Sequence, residues 1–430
     1  MKWESKITTF SLALAIFYIL IMFINHVFLM APNIGDEGAF SPNLEFLIEN
    51  GYGKAIINGM SIPFIIISYL FNLFLNNYSM SLRLSNAFFV LIFFIYLFHR
   101  KDLFQTRIKY FIFFLLLLLG TSGGIFYGTN DSVFNISICI LFFEVFASMS
   151  GHQIKLFYFI FSSFLCIASR PHWIIYLFGL LLALFVYHLL KRDKNILIIK
   201  NKITIGLLLG LSLTLIINYP KYISGNFGHG QGEYLPKFLI FSYTDKTKKG
   251  GLENFNWTQW HYYSQMKGNK DRLGLFAPLV PWNEVYEYKK ANGEHSLPKS
   301  YQEYITTKLG MVIRRVPFSI LEVIIVSVRY IGFFVPIFLF VFVSKILNKK
   351  YDEHFLACLI VILGIITFAS IWPHTLELRW LMPYFSLLIL SSTSNKDNSL
   401  KWTMVLLMNM IFMDIITIWA LWKWKLFYSV

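Results

Sequence analysis

The chain carries long runs of residues that are apolar on every face, such as FSLALAIFYILIMFI, IIYLFGLLLALFVY and VPIFLFVFV. An amphipathic helix of a soluble protein would show polar residues at every second or third position. Only 14% of the 430 residues are charged and 56% are hydrophobic, whereas soluble domains have about 25% charged residues. Lipid can surround so much apolar surface, and a soluble core cannot. The sequence therefore predicts an all-α integral membrane protein, a single polytopic domain over residues 1–430.

About eleven segments have the length and apolarity of a membrane-spanning helix. We predict spans at residues 7–30, 82–98, 110–125, 133–149, 156–168, 173–190, 203–217, 318–343, 355–371, 380–390 and 402–422. The spans that begin at Leu82, Leu156 and Trp380 are short, so we expect them to tilt little or to merge with flanking helical ends.

Lysine and arginine cluster in alternate loops, for example at residues 100–109 and 345–350, and most of the loops between them lack both. The positive-inside rule places these clusters in the cytoplasm. The formal charge of +15 therefore reflects topology and contact with anionic membrane lipids, and we expect no nucleic-acid partner. We predict a multi-pass protein of the inner membrane, with its functional residues on the periplasmic, extracytoplasmic side.

Three segments on the predicted outer side stand out. Residues 31–81 form a first outer loop with GDEGAF and the apolar run SIPFIIISYLFNLFL. We interpret this run as an interfacial helix, because a span there would turn the downstream basic clusters outwards. The second segment is the tight turn YGTNDS, and the third is a long loop at residues 219–317. Aromatic residues of the long loop, such as Trp260 and Tyr262, could stack on sugar rings or form an interfacial belt.

Three carboxylates lie on this predicted outer side. Asp36 and Glu37 follow the first span closely, where a carboxylate could take the proton of an acceptor hydroxyl; a solvated pair without function is the alternative. Asp131 joins two spans with almost no loop, and ionisable groups so near hydrocarbon tend to be functional. The alternative for Asp131 is the N-cap of the helix that begins near Val133. All three carboxylates could also share a divalent metal ion.

Arg83, Arg170 and Arg379 each lie at the outer end of a span, against the positive-inside bias. Guanidinium groups at this depth suit a phosphate or pyrophosphate, which they bind through paired hydrogen bonds. They would also stabilise the charge on a departing lipid phosphate. Contacts with lipid head groups, or ion pairs with Glu377 or Asp36, are the alternatives. Arginines and carboxylates gathered on one side favour an anionic lipid-linked ligand.

His172 and His374 accompany Arg170 and Arg379 in the same turns and, with Glu377, are candidate auxiliary residues. Each histidine follows a proline, so a plain helix boundary at the interface is the alternative. No spacing of His, Cys and Asp resembles a zinc site. The sequence also lacks a Walker loop, a dinucleotide fingerprint and a nucleophile elbow. We therefore predict no cofactor beyond the divalent metal ion considered above.

The order of these motifs resembles that of the membrane-embedded glycosyltransferases of the GT-C fold, in the bacterial branch related to protein O-mannosyltransferases and aminoarabinose transferases. The resemblance is carried by GDEGAF, NGMSIPFIIISYLF, SLRLSNAFFVLIFFIYLFHR, IFYGTNDSVF, ASRPHW and LELRWLMPY. It extends from about Thr8 to Leu390. Trp380 stands where the family's last signature has tyrosine, and Arg170 stands where relatives often have lysine.

The resemblance implies a GT-C-like fold and transfer of a hexose or pentose from a polyprenyl-phosphate sugar to an acceptor hydroxyl on a glycan, lipid or protein. Transfer would be a single displacement with inversion. Asp36 would be the catalytic carboxylate with Glu37 beside it, and Asp131 would organise the acceptor or a metal. The three arginines named above would bind the donor phosphate.

Two other classes of function stay open at this point. A flippase for lipid-linked oligosaccharides, or another transporter, would line a midplane cavity with charges and would show an internal repeat. A polymerase or ligase of surface polysaccharide shares large outer loops and arginines. Such an enzyme would tolerate the loss of Asp36.

Overall fold

The computed structural model describes residues 2–33, 37–57, 60, 62–104, 107–121, 125–170, 172–191, 195–224, 259–260, 262–264, 266–267, 280–293, 295–298, 303, 306, 309–371, 378–394 and 400–427. All regular structure within these ranges is helical, as the apolar runs predict. The chain is thus an all-α protein over the part that the structure describes.

The helices are numbered here in chain order. They are α1 (Lys2–Ile24), α2 (Glu37–Asn50), α3 (Tyr52–Ile57), α4 (Ile62–Leu75), α5 (Tyr78–His99), α6 (Ile108–Thr121), α7 (Asp131–Met149), α8 (Leu156–Ser169), α9 (Trp173–Lys191), α10 (Asn195–Ile217), α11 (Tyr219–Ile223), α12 (Trp282–Asn292), α13 (Leu309–Ile331), α14 (Phe334–Leu347), α15 (Glu353–Ile371), α16 (Met382–Ser394) and α17 (Leu400–Phe427). A π-helix (Asn25–Leu29) continues α1, and 3-10 helices lie at Lys101–Leu103 and Leu378–Leu381.

Five helical segments are long and apolar enough to cross a membrane. They are Trp3–Leu29, Tyr78–His99, Asp131–Met149, Trp173–Lys191 and Leu400–Lys423. Each coincides with one of the predicted spans. Predicted spans 110–125, 156–168, 203–217 and 355–371 fall on shorter apolar helices, and the segment 380–390 falls on a 3-10 helix followed by α16. The total of eleven spans stays a prediction.

The apolar run SIPFIIISYLFNLFL forms α4, a helix of 14 residues. Its polar residue Ser68 is buried and shares a 2.8 Å hydrogen bond with Ser85 of α5. Leu73 and Phe74, at the end of the helix, are exposed. The helix predicted here is confirmed, and its position at the outer membrane surface stays a prediction.

Residues 318–343, predicted as a span, do not form one straight helix, and their crossing of the membrane as a single broken span stays a prediction. Two segments, Val316–Ile331 and Phe334–Leu347, meet there at an angle of 119°. Gly332 lies in the break with a φ of 62°, a left-handed conformation that glycine adopts without steric cost. Two backbone groups at the break bind one side chain: Phe333 N–H donates to Asn409 Oδ1 over 2.8 Å, and Asn409 Nδ2 donates to Ile331 O over 3.3 Å. Asn409 of α17 thus replaces hydrogen bonds that an unbroken helix would make.

We expect Asn409→Leu to lower the free energy of unfolding by about 2–4 kcal/mol. The leucine leaves the partly buried Phe333 N–H and the buried Ile331 carbonyl without this partner, at about 1–3 kcal/mol each. Thermal unfolding in detergent measures the loss, with Asn348→Leu, at an exposed asparagine, as the matched control. Equal midpoints for the two variants would contradict the role of Asn409.

The chain divides into two compact units, one of Met1–His229, Val326–Gly364 and Leu378–Val430, the other of Gly230–Ile325 and Ile365–Glu377. In the second unit, a small core buries Trp260, Tyr262, Val285 and Leu297. The Trp260 indole donates a 2.8 Å hydrogen bond to Val280 O.

Residues 219–317 include α11, α12 and the first turns of α13, and their place as a long outer loop stays a prediction. The buried rings of Trp260 and Tyr262 are not placed to stack on a sugar. That interpretation of these two residues is corrected.

Helix α7 is the most deeply buried of the five long apolar helices, with 89% of its apolar stretch buried. It packs against α5, α8 and α16. Its cytoplasmic end, as predicted from the basic clusters, holds a buried ion pair: Glu144 Oε1 lies 3.3 Å from Arg100 Nε. Tyr96 donates to the same oxygen over 2.9 Å, and Lys155 N–H donates to Oε2 over 2.8 Å. Charged side chains therefore anchor this end of α7 to the two loops beside it.

Candidate functional site

Asp131, the first residue of α7, is the centre of a charged cluster in the first unit. Its Oδ1 lies 2.9 Å from Nη2 of Arg170, and its Oδ2 lies 3.0 Å from Nη1 of Arg379. Thr129 Oγ1 donates a further 2.9 Å hydrogen bond to Oδ2. The carboxylate is 3% exposed, and the two arginine side chains are 14% and 19% exposed. The buried carboxylate thus orients two guanidinium groups that stay partly open.

Arg170 follows α8 in an extended conformation and is fixed by the turn before α7. Its Nε donates to Asn130 Oδ1 over 2.6 Å, and Asn130 Nδ2 donates to Ser169 O over 2.8 Å. Nη1 of Arg170 has no hydrogen-bond partner among the described residues. Its N–H groups are therefore available to an anion at the open side of the cluster.

Arg379 lies in the 3-10 helix Leu378–Leu381 that precedes α16. Asn135 Nδ2 donates to Arg379 O over 3.1 Å, and the Tyr176 hydroxyl donates to Trp380 O. Asn135 belongs to α7 and Tyr176 to α9. These two helices therefore fix the backbone that carries the second guanidinium.

Helix N-termini surround the cluster. Helix α7 begins at Asp131, α9 begins at Trp173, and α16 begins at Met382 just after Arg379. The N-terminus of a helix carries a partial positive charge and free backbone N–H groups. The described side chains at the cluster add two guanidinium groups and one carboxylate. This arrangement suits an anion such as phosphate.

His172 precedes α9 and stacks on Trp380, with ring centroids 5.7 Å apart and an interplanar angle of 28°. Burial, and next the Arg170 guanidinium, lower the pKa of His172 to about 4, against the opposing effect of Asp131. The imidazole is therefore neutral at physiological pH. It contributes shape and stacking to the cluster but no charge.

We expect His172→Gln to weaken the pH dependence of unfolding. Histidine titrates near 6.5 in an unfolded chain and His172 near 4 in the folded protein, so the unfolded chain binds more protons between these values. Wild-type stability should therefore rise with pH across this window, by up to about 3 kcal/mol. Unfolding in detergent at about pH 4, 5.5 and 7 measures the slope. His295→Gln, at an exposed position, should keep the wild-type slope, and the same slope in His172→Gln would contradict the assignment.

Glu37 and Arg83 form a second, fully buried ion pair, with exposures of 0% and 3%. Arg83 Nε donates to Glu37 Oε2 over 2.7 Å, and Nη2 donates to Oε1 over 2.8 Å. Arg83 also donates to Met30 O over 2.8 Å and Ala31 O over 2.6 Å. The backbone N–H groups of Asn33 and Gly128 complete the shell of Glu37, at 3.0 and 3.2 Å.

This pairing changes the roles that the sequence predicts for the two residues. Both oxygens of Glu37 accept hydrogen bonds inside the protein, and most donors of Arg83 are used there. The geometry favours a structural role that ties α1, α2 and α5 together. It gives no support to Glu37 as a catalytic carboxylate or to Arg83 as a ligand of the donor phosphate.

The structure also corrects the alternative for Asp131. Asn130, not Asp131, occupies the N-cap of α7, and its side chain makes no capping hydrogen bond. The helix begins two residues before Val133, at Asp131 itself. Its carboxylate binds guanidinium groups instead of the backbone N–H groups of the first turn.

Glu37 and Asp131 do not fit a divalent metal site, since each carboxylate is paired with arginine. Groups of three or more metal-ligating side chains are absent from the described residues. Asp36, His374 and Glu377 lie outside the described residues. Their predicted roles therefore stay predictions.

Sequence reasoning missed the polar residues that hold the arginines in place. Asn130 binds Arg170 directly, and Asn135 fixes the turn of Arg379. Asn86 Nδ2 donates to Thr129 O over 2.8 Å and so supports the turn before α7. For Asn86 and Asn135 the available signal was an asparagine inside an apolar run, because a polar amide at that depth needs a partner.

Comparison of the chain with the models of known protein families, with curated proteins and with solved structures finds no significant match.

Proposed function

We propose that this chain is a membrane-embedded glycosyltransferase that moves a sugar from a polyprenyl-phosphate donor to an acceptor hydroxyl at the extracytoplasmic face of the inner membrane. The observation that supports it most is the cluster of Arg170, Asp131 and Arg379, with partly exposed guanidinium groups held by one buried carboxylate. The order of the sequence motifs, which resembles that of GT-C glycosyltransferases, agrees with this proposal.

The proposed phosphate ligands are Arg170 and Arg379. Asp131 is their positioning residue, since it holds both side chains at hydrogen-bonding distance. A phosphate on the open side would meet planar N–H donors of fixed orientation, which cost little rearrangement when charge develops. The N-termini of α7 and α9 add backbone dipoles of the same sign.

In the proposed reaction the acceptor oxygen forms a bond to the anomeric carbon while the bond from that carbon to the phosphate oxygen breaks. The departing polyprenyl phosphate keeps the electron pair, and the arginines stabilise its negative charge. The acceptor proton passes to a carboxylate, the role that the resemblance assigns to Asp36. A single displacement of this kind inverts the anomeric configuration.

The direct test is binding of a polyprenyl phosphate to the purified chain in detergent. Loss of a charged hydrogen bond costs about 1.5–3 kcal/mol, so Arg170→Gln and Arg379→Gln should each weaken binding by about 10- to 100-fold. Arg329→Gln, at an exposed arginine, is the matched control and should bind like the wild type. Unchanged affinity in both cluster variants would overturn the phosphate site.

A cellular test separates transfer from binding. A strain that lacks the chain should lose one sugar from its surface glycans and accumulate a polyprenyl-phosphate sugar, both measurable by mass spectrometry. Complementation with Asp36→Asn should neither return the missing sugar to the glycans nor remove the accumulated polyprenyl-phosphate sugar. Accumulation of whole lipid-linked oligosaccharides instead would favour a flippase or polymerase.

A further inference from the structure

A cleft of about 300 Å³ lies at the opposite, predicted cytoplasmic end of the first unit, between α14, α15, α16 and α17. Small-molecule sites typically measure about 300–1,000 Å³. The cleft shares no residue with the cluster around Asp131. A ligand of this cleft would therefore be distinct from one bound at the cluster.

The polar half of the cleft is basic. Lys345 and Lys350 both line it. Lys345 forms an ion pair with Asp352, and Asp352 also accepts a 2.9 Å hydrogen bond from Phe355 N–H at the start of α15. Lys350 makes no ion pair or hydrogen bond through its side chain among the described residues. One positive charge is thus left uncompensated at the cleft.

The remaining ionisable groups do not cancel this charge. His354 lines the cleft, and its Nδ1 shares a 3.0 Å hydrogen bond with Ser391 Oγ. Glu353 lies 3.9 Å from His354 Nε2 and does not line the cleft. Asp352 is the carboxylate that forms an ion pair with one of the two lysines among the described residues, and its partner is Lys345.

The other half of the cleft is apolar and opens onto an exposed helix face. Phe338, Phe340 and Val341 of α14 form this wall. Phe340 is 76% exposed, and Val343 and Leu347 of the same helix are also exposed. Trp402 borders the cleft and donates a 2.9 Å hydrogen bond to Ser392 O, as an indole at a membrane interface commonly does.

We propose that this cleft binds the head group of an anionic phospholipid from the cytoplasmic leaflet. Lys350 and Lys345 would meet the phosphate, and the first part of an acyl chain would lie along the Phe340 face of α14. A soluble phosphate compound would use the basic half alone and leave the apolar wall exposed. Charge and apolar surface side by side therefore favour a lipid.

The test is native mass spectrometry of the full chain, released from detergent with phosphatidylglycerol or phosphatidylcholine. A lysine near anionic lipid contributes about 1 kcal/mol, or about a fivefold change in affinity. Phosphatidylglycerol should bind at least about fivefold tighter than phosphatidylcholine. Lys350→Gln should remove this preference, and Lys350→Arg should restore it.

Lys109→Gln serves as the control, because Lys109 is an exposed lysine on the same predicted side and does not line the cleft. It should bind phosphatidylglycerol like the wild type. Equal retention of the two lipids, or equal losses in Lys350→Gln and Lys109→Gln, would overturn the proposal. Displacement of the lipid by millimolar inorganic phosphate would also overturn it, in favour of a soluble ligand.

Discussion

Replacing Glu37 by glutamine should lower the free energy of unfolding by about 3–5 kcal/mol, because it leaves the Arg83 guanidinium buried without its counter-ion. Arg83 is 3% exposed and donates two hydrogen bonds to the carboxylate that the variant lacks. Thermal unfolding in detergent and the yield of folded protein measure the effect. Glu45→Gln changes an exposed glutamate on the same helix and should stay within about 1 kcal/mol of the wild type. Equal unfolding midpoints for Glu37→Gln and Glu45→Gln would contradict a structural role for the ion pair between Glu37 and Arg83.

A second variant separates charge from shape at this position. An ideal Cβ atom on Gly128 would lie 2.6 Å from Glu37 Oε2, which is closer than atoms pack. Gly128→Ala keeps both charges, but its Cβ atom should displace the Glu37 carboxylate from the Arg83 guanidinium. It should therefore destabilise the protein in the same direction as Glu37→Gln. The combination of both substitutions should cost less than the sum of the single losses.

The variant Asp131→Asn should destabilise the ligand-free protein by about 2–4 kcal/mol and, under the proposed function, should abolish sugar transfer. It removes the carboxylate that pairs with both Arg170 and Arg379, and the partial exposure of the arginines moderates the loss relative to a fully buried pair. Under the proposed function, the phosphate of a bound polyprenyl phosphate would supply part of the missing negative charge. The lipid should therefore raise the unfolding midpoint of the variant more than that of the wild type.

Asp102→Asn is the control for this experiment. Asp102 is 41% exposed and lies 3.8 Å from Arg100 and 3.3 Å from His152, so its loss should cost less than about 1 kcal/mol. Its midpoint should respond to polyprenyl phosphate as the wild type does. If Asp131→Asn and Asp102→Asn gain the same stabilisation from the lipid, the phosphate is not bound at the cluster.

The helices, and the presence of Asp131, Arg170 and Arg379 on one side, follow from the sequence. Apolar runs of sufficient length leave few structures other than helices. Asp131, Arg170 and Arg379 stand at the ends of spans that were predicted to emerge on one side, so a common location was foreseeable. Their mutual geometry was not, because it depends on Asn130 and Asn135, whose contacts join residues far apart in the chain.

Two other features could not be predicted, for different physical reasons. The pairing of Glu37 with Arg83 depends on how α2 and α5 are positioned, and many registers satisfy the same apolar pattern. The break at Gly332 depends on Asn409, which lies on another helix and supplies the hydrogen bonds at the bend. A lone glycine in an apolar run gives no such sign, since spanning helices tolerate glycine.

Helix α7 has an arginine-bound carboxylate near each end, Asp131 at one and Glu144 at the other. Sliding or rotating this helix along its axis would separate at least one of these pairs within a poorly solvated interior. We therefore expect α7 to keep its position relative to the cluster around Asp131. Under the proposed function, closure around a substrate would come from the turns that carry Arg170 and Arg379. Cross-links that immobilise those turns, unlike cross-links on α7, should then slow sugar transfer.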